Sequence, residues 1–252
     1  MDLARIFMAS LASLSLPAGF SWYKKHPIIA VTSTLLYSAV AILPARHDHV
    51  TYSVIAYTVI FAGCLAILNR PWPAGPRLLS HISWRHLAPS QYVALAVSGL
   101  TLAPLTYEGR NSLVDHVRKT LIANDRPTIT ASGALIAILG SQYIIGRILR
   151  PQIKEINEKI SRGEIDRKVG DFVRVGSHVG WIERSLLFAF LVSGNPDAAA
   201  LVVAAKSLAR LPGVSDGGKL VGDYYLIGTL TSVVATLLVA ATTRLALGLS
   251  PL

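Results

Sequence analysis

A chain of 252 residues that is 52% hydrophobic and only 15% charged, with a mean hydropathy of +0.49, lacks the polar surface that a water-soluble globule of this size must display. Its formal net charge of +10 would suggest nucleic acid in a soluble protein, but here the basic residues stand between long apolar runs and form no basic domain. That distribution argues against a nucleic-acid partner and for loops held against anionic membrane lipid.

The N-terminal stretch 3–20 is apolar but interrupted by Pro17 and Gly19. Asp2 and Arg5 make a poor leader n-region, and Lys24 and Lys25 follow where a cleavage site would be expected, so residues 1–26 are read as an interfacial or short membrane helix. Residues 27–150 form a four-helix membrane region. Its crossings are 27–44 (PIIAVTSTLLYSAVAILP), 50–68 (VTYSVIAYTVIFAGCLAIL), the uncharged 89–107 and 130–148 (TASGALIAILGSQYIIGRI), each long enough for about 30 Å of hydrocarbon. Between the third and fourth, 111–124 (NSLVDHVRKTLIAN) reads as an amphipathic helix with Leu113, Val117 and Leu121 on one face. The connection 69–77 (NRPWPAGPR) carries three prolines, a Trp and two Arg, as suits a turn at the headgroup level.

Residues 151–175 are densely charged with both signs and hold Ile153, Ile156 and Ile160 at helical spacing, the pattern of an amphipathic helix on the cytoplasmic side. Residues 176–252 form a three-helix membrane region, with crossings at 176–194, 197–211 and 222–247. The turn Ser193-Gly194-Asn195-Pro196-Asp197 joins the first two, with Asp197 in position to cap the next helix, and 212–222 makes the second turn. The expected architecture is therefore an all-α polytopic transmembrane helix bundle of about seven membrane helices, with six and eight as its bounds. Placing the basic connections around 24–25, 70–86, 147–174 and 210–219 on one side gathers 15 Lys and Arg, against Arg46, Arg110, Arg118, Lys119, Arg126 and Arg244 on the other. The positive-inside rule puts the first side in the cytoplasm and the C-terminus outside a bacterial plasma (inner) membrane.

Charges inside apolar segments are the residues that can carry chemistry, since each costs roughly 2.5–3.5 kcal/mol at mid-membrane. Glu183 and Arg184 lie within the fifth crossing, Lys206 within the sixth, and Asp223 with Tyr225 opens the seventh. Packed side by side, the three helices would bring these charges together in the cytoplasmic half of the bilayer. The cluster then either lines a cavity binding an anionic solute or lipid headgroup through Arg184 and Lys206, or consists of structural pairs, Glu183 with Lys206 or Arg184 with Asp223, with Lys206 snorkelling. Gly176 and Gly180 stand at a spacing that lets helices approach closely. Thr229, Thr231, Ser232, Thr236, Thr242 and Thr243 are expected to bond back to their own helix. His47-Asp48-His49, and His81 with His86, lack a second ligand cluster, and Cys64 is the only cysteine, so no metal or other cofactor is implied. The run 213–219 resembles a phosphate loop only superficially, because it lacks the Gly-Lys-Ser/Thr order and a preceding strand.

The motifs Gly180-Trp181-Ile182-Glu183-Arg184, Ala204-Ala205-Lys206-Ser207 and Asp223-Tyr224-Tyr225-Leu226-Ile227-Gly228-Thr229 occur in this order on successive apolar segments. In that respect residues 176–240 resemble a bacterial membrane family catalogued as domain of unknown function 3307, which has a G-W-L-E-R, an A-A-K-S and an E-Y-x-x-I-G-T. Here Ile follows the Trp, and Asp223 replaces the Glu. The resemblance implies no activity, but draws Glu183, Arg184, Lys206, Tyr225 and Thr229 together as residues of interest. Three function classes follow: a small-solute or lipid-binding and transport protein using the cluster; a non-catalytic assembly subunit docking other membrane subunits through 151–174; and an enzyme acting on a lipid-linked phosphate. The enzyme ranks below the others because no recognised catalytic constellation is present.

Overall fold

A computed structural model of the chain describes residues 2–42, 49–68 and 124–251, all regular structure in them being helical. The expected crossing at 89–107, the amphipathic helix at 111–124 (apart from Asn124) and the turn at 69–77 lie outside the described residues. Among the described residues three helices are long and apolar enough to cross a membrane: Thr51–Leu68, Asp125–Ile148 and Gly218–Ala246, with two shorter apolar helices at Leu3–Gly19 and Pro27–Ile42. Their outward faces match that role. Leu226, Leu230, Val234 and Leu238 recur every four residues, with Leu245 two turns further on, each more than half exposed, as are Tyr57, Ile60, Phe61 and Ile67. Such stripes are costly against water and neutral against acyl chains. The chain is built as a membrane protein.

It divides into two compact units, 1–132 and 133–252. In the first, helices α1 (Asp2–Gly19), α3 (Pro27–Ile42) and α4 (His49–Leu68) pack together around the short α2 (Trp22–Lys25). The helix α1 continues through Pro17, which sequence reading took as an interruption, and stops at Gly19. Ala9, Ala12 and Ser13 on α1, and Ala30, Ser33, Thr34 and Ser38 on α3, are small and buried. Small residues let two backbones close on each other, and Thr34 Oγ1 duly reaches the Ser13 carbonyl at 3.2 Å while also bonding to its own Ala30 carbonyl. Ile6, Ala41, Ile42 and Ile55 complete the core.

The unit also holds a charge that the sequence reading treated only as a weak leader feature. Arg5 is fully buried, donating Nε to the Ala41 carbonyl at 2.7 Å and Nη1 to Asp125 Oδ1 at 3.0 Å. Asp125 opens α5 (Asp125–Leu135), whose Ser132 hydroxyl bonds to that of Tyr37.

In the second unit, the described chain passes through a π-helical turn, Ile136–Gly140, into α6 (Ser141–Ile148) and α7 (Arg150–Ser161), then α8 (Arg167–Val192) and α9 (Pro196–Ala246). The helices α8 and α9 make the most extensive packing, over Leu187, Phe188, Leu191, Ala199 and Ala240. The predicted hairpin at 193–197 is present. Gly194, at φ 81°, ends α8, with the Asn195 amide reaching back to the Phe190 carbonyl and the Gly194 amide to Leu191. The guanidinium of Arg244 covers the last carbonyls of α8, Leu191 and Val192. Asn195 occupies the N-cap position; Asp197 falls inside the first turn instead of capping it, where a carboxylate still favours the helix dipole.

Two expectations change. The connection expected at 212–222 is helical, and α9 runs from Pro196 to Ala246 with its break confined to Gly218 (φ 66°, ψ −168°). That backbone region is open essentially to glycine alone, so one residue does the work assigned to a loop. The charged segment 151–175 divides into α7 and the first turns of α8, whose N-cap Asp166 accepts from the Lys168 amide. The apolar face of α7 is consumed internally: Ile156 is fully buried with Val169 and Val221, and Ile160 packs beside them.

Candidate functional site

The second unit encloses a partly open cavity of about 150 Å³. Its walls follow from helical spacing. On α8, Gly176, Gly180 and Arg184 recur every four residues and share one face; on α9, Tyr225, Thr229 and Ser232, spaced four and three apart, share a face beyond the Gly218 break, while Lys206 comes from before it. From α6 come Gln142 and the aliphatic Ile145, and Leu149 follows at its C-cap.

Glu183 and Arg184 are both buried, at 9% and 2% exposure, yet neighbouring positions on a helix point in different directions. The carboxylate of Glu183 accepts from Lys206 Nζ, an ion pair between α8 and the first arm of α9. This is one of the pairs the sequence offered, and it replaces the snorkelling alternative for Lys206. Arg184 takes a different course. Its Nη2 donates to Gln142 Oε1 at 2.6 Å and to the Ile138 carbonyl at 3.1 Å, both neutral acceptors, and its Nε has no partner among the described residues. The alternative pair, Arg184 with Asp223, does not form: Asp223 is exposed, outside the cavity lining.

Space for the guanidinium is made by the absence of a side chain at 180. A Cβ there would stand 3.1 Å from Arg184 Nη1. Gly180 therefore does more than ease helix approach, the role its spacing suggested. It is the floor on which the guanidinium rests.

The hydroxyl-rich stretch of α9 separates into two kinds. Thr236, Thr242 and Thr243 bond back to the carbonyls four residues earlier, as expected. Ser232 does not: its Oγ is buried without a hydrogen-bond partner among the described residues, as is the Tyr225 hydroxyl, and both residues line the cavity. Buried polar atoms left unpaired are uncommon and mark places where a ligand or water completes the bonding. Of the six residues singled out from sequence, Arg184, Lys206, Tyr225 and Thr229 line the cavity, Glu183 is tied to it through Lys206, and Asp223 is apart. The sequence gives no prominence to Gln142, although it is the lone amide in an apolar segment, and favours back-bonding over bonds to neighbours for Ser232.

Among the described residues no group of three or more His, Cys, Asp or Glu side chains is gathered; the side chains of His47, Asp48, His49, His81 and His86 lie outside them. Comparison with protein-family models, curated proteins and solved structures returns no match to this chain.

Proposed function

We propose that this protein binds a small anionic solute or lipid headgroup in the α8–α9 cavity, as a transport or lipid-handling protein of a bacterial plasma membrane. The observation that carries the reading is the guanidinium of Arg184, buried at the cavity wall with only neutral hydrogen-bond partners. Taking an ion out of water costs several kcal/mol unless an opposite charge compensates. Nothing of opposite sign is within ion-pair distance of Arg184 among the described residues, whereas an anion entering the cavity would supply the missing charge through charge-assisted bonds. The unpartnered Tyr225 and Ser232 hydroxyls support the same reading. The docking-subunit alternative is weakened because the apolar face of α7 is already buried within its own unit.

The wider reading keeps about seven crossings, the C-terminus outside, and a relationship of residues 176–240 to the domain of unknown function 3307 family, the last resting on the three motifs quoted above. Orientation is tested with Ser250→Cys in a Cys64→Ser background. Labelling by an impermeant maleimide in intact spheroplasts supports it, and protection of that position overturns it.

The binding reading is tested by native mass spectrometry of protein released from its own membrane in mild detergent. A bound anion or lipid on the wild type that is missing from Arg184→Gln is the expected result. Equal occupancy of both would remove Arg184 from the site and overturn the reading.

A further inference from the structure

The charge of the ligand can be read from the residues around the cavity. Three charged side chains among the described residues meet there: Arg184 and Lys206 line it, and Glu183 holds Lys206. Lysine and glutamate cancel, so one positive charge, on Arg184, is left over. A singly charged anion brings the site to neutrality. A doubly charged one would place surplus negative charge beside Glu183, at a depth where Coulomb terms are weakly screened.

The donors define the group further. Arg184, Tyr225 and Ser232 line the cavity, and each keeps a buried donor, Nε–H or hydroxyl, without a partner among the described residues, which a small side-chain rotation brings to a ligand. Around these donors the wall is hydrocarbon, from Ile145, Leu149, Ile153 and Val173. Donors and aliphatic side chains lining one cavity suit an oxyanion that carries carbon substituents, since a bare ion would leave the apolar lining wetted and unused.

We propose that the cavity is a site for a phosphodiester monoanion, an assignment that rests on the anion-binding reading above. A volume of about 150 Å³ accommodates a phosphate and its first ester carbons but no acyl chain. A phospholipid headgroup and a free diester therefore present the same chemistry to it, and experiment distinguishes the source.

The test uses the full chain in nonionic detergent at about pH 8, where a phosphate monoester is close to a dianion. Thermal unfolding is followed by tryptophan fluorescence against dimethyl phosphate, methyl phosphate and dihexanoyl phosphatidylglycerol. Dimethyl phosphate is expected to raise the midpoint saturably, with methyl phosphate at least about tenfold weaker, and Arg184→Gln is expected to abolish the shift. Tyr225→Phe and Ser232→Ala each remove one donor and should weaken binding about threefold to tenfold while the unliganded protein melts normally. Those two variants keep the proposal open to refutation should Arg184→Gln fail to fold. Methyl phosphate binding as tightly as the diester would overturn the phosphodiester assignment and leave the anion reading standing. Absence of any stabilisation by all three would overturn both. Tighter binding of the short-chain lipid than of dimethyl phosphate identifies the membrane as the source, and equal binding identifies a free diester; either supports the assignment.

Discussion

Among the described residues each unit of this protein buries one arginine, and the two are treated in opposite ways. Arg5 in the first unit meets Asp125 and the Ala41 carbonyl, so its charge is neutralised and its donors are engaged. Arg184 in the second unit meets an amide oxygen and a carbonyl and has no ion-pair partner among the described residues. The first arrangement holds helices together. The second is the arrangement on which the anion-binding proposal rests. Burial of a charge is therefore no guide to its role until its partners are counted.

Breaking the pair in the first unit should give the largest loss. Asp125→Ala strands Arg5 in a dry interior and is expected to destabilise by about 3–5 kcal/mol, measured by denaturant unfolding in mixed micelles. A loss below about 1 kcal/mol would mean that water or lipid reaches Arg5 and that the compensation is idle. Next comes Glu183→Gln. The Glu183–Lys206 pair retains 12% and 15% side-chain exposure, so the stranded ammonium is partly rehydrated and the expected cost is about 1–3 kcal/mol by the same assay. The same change removes the negative charge beside the cavity and leaves Lys206 uncancelled, so methyl phosphate should gain affinity relative to dimethyl phosphate.

Arg184→Met should be milder still for the ligand-free protein, about 1 kcal/mol, because an ill-compensated charge is replaced by packing volume. A loss as large as that of Asp125→Ala would erase the contrast and make Arg184 a strut. The smallest stability change is expected for Gly180→Ala, which gains about 0.5–1 kcal/mol of helix propensity while its methyl group crowds Arg184 Nη1. Dimethyl phosphate binding should weaken even though the fold does not. Unaltered binding would show that the guanidinium does not face the ligand from that position.

These contrasts bear on what sequence reading could reach. Arg5 and Arg184 look alike in the chain, each a lone basic residue in an apolar run. Hydropathy cannot separate them, because the partner of Arg5 is 120 residues away and those of Arg184 are 42 and 46 residues away. Pairing Glu183 with Lys206 was foreseeable, since both lie on neighbouring segments joined by a tight turn. Pairing Arg184 with Asp223 was equally plausible on spacing and is not what forms. Ser232 shows the same limit. Its type matches the threonines that bond back to their helix, and only the cavity beside it distinguishes its free hydroxyl from theirs.

By itself the sequence determined the membrane class, the helical content, the hairpin at Gly194 and most of the polar cluster, because these follow from local quantities: apolar run length, turn residues and charges placed where lipid penalises them. Tertiary structure alone decided that α9 breaks at Gly218 without a loop, that the face of α7 is buried within its own unit, and which arginine is neutralised. Those outcomes depend on contacts between segments far apart in the chain, and the energy of a buried charge is set by the groups within a few ångströms of it rather than by its neighbours in sequence.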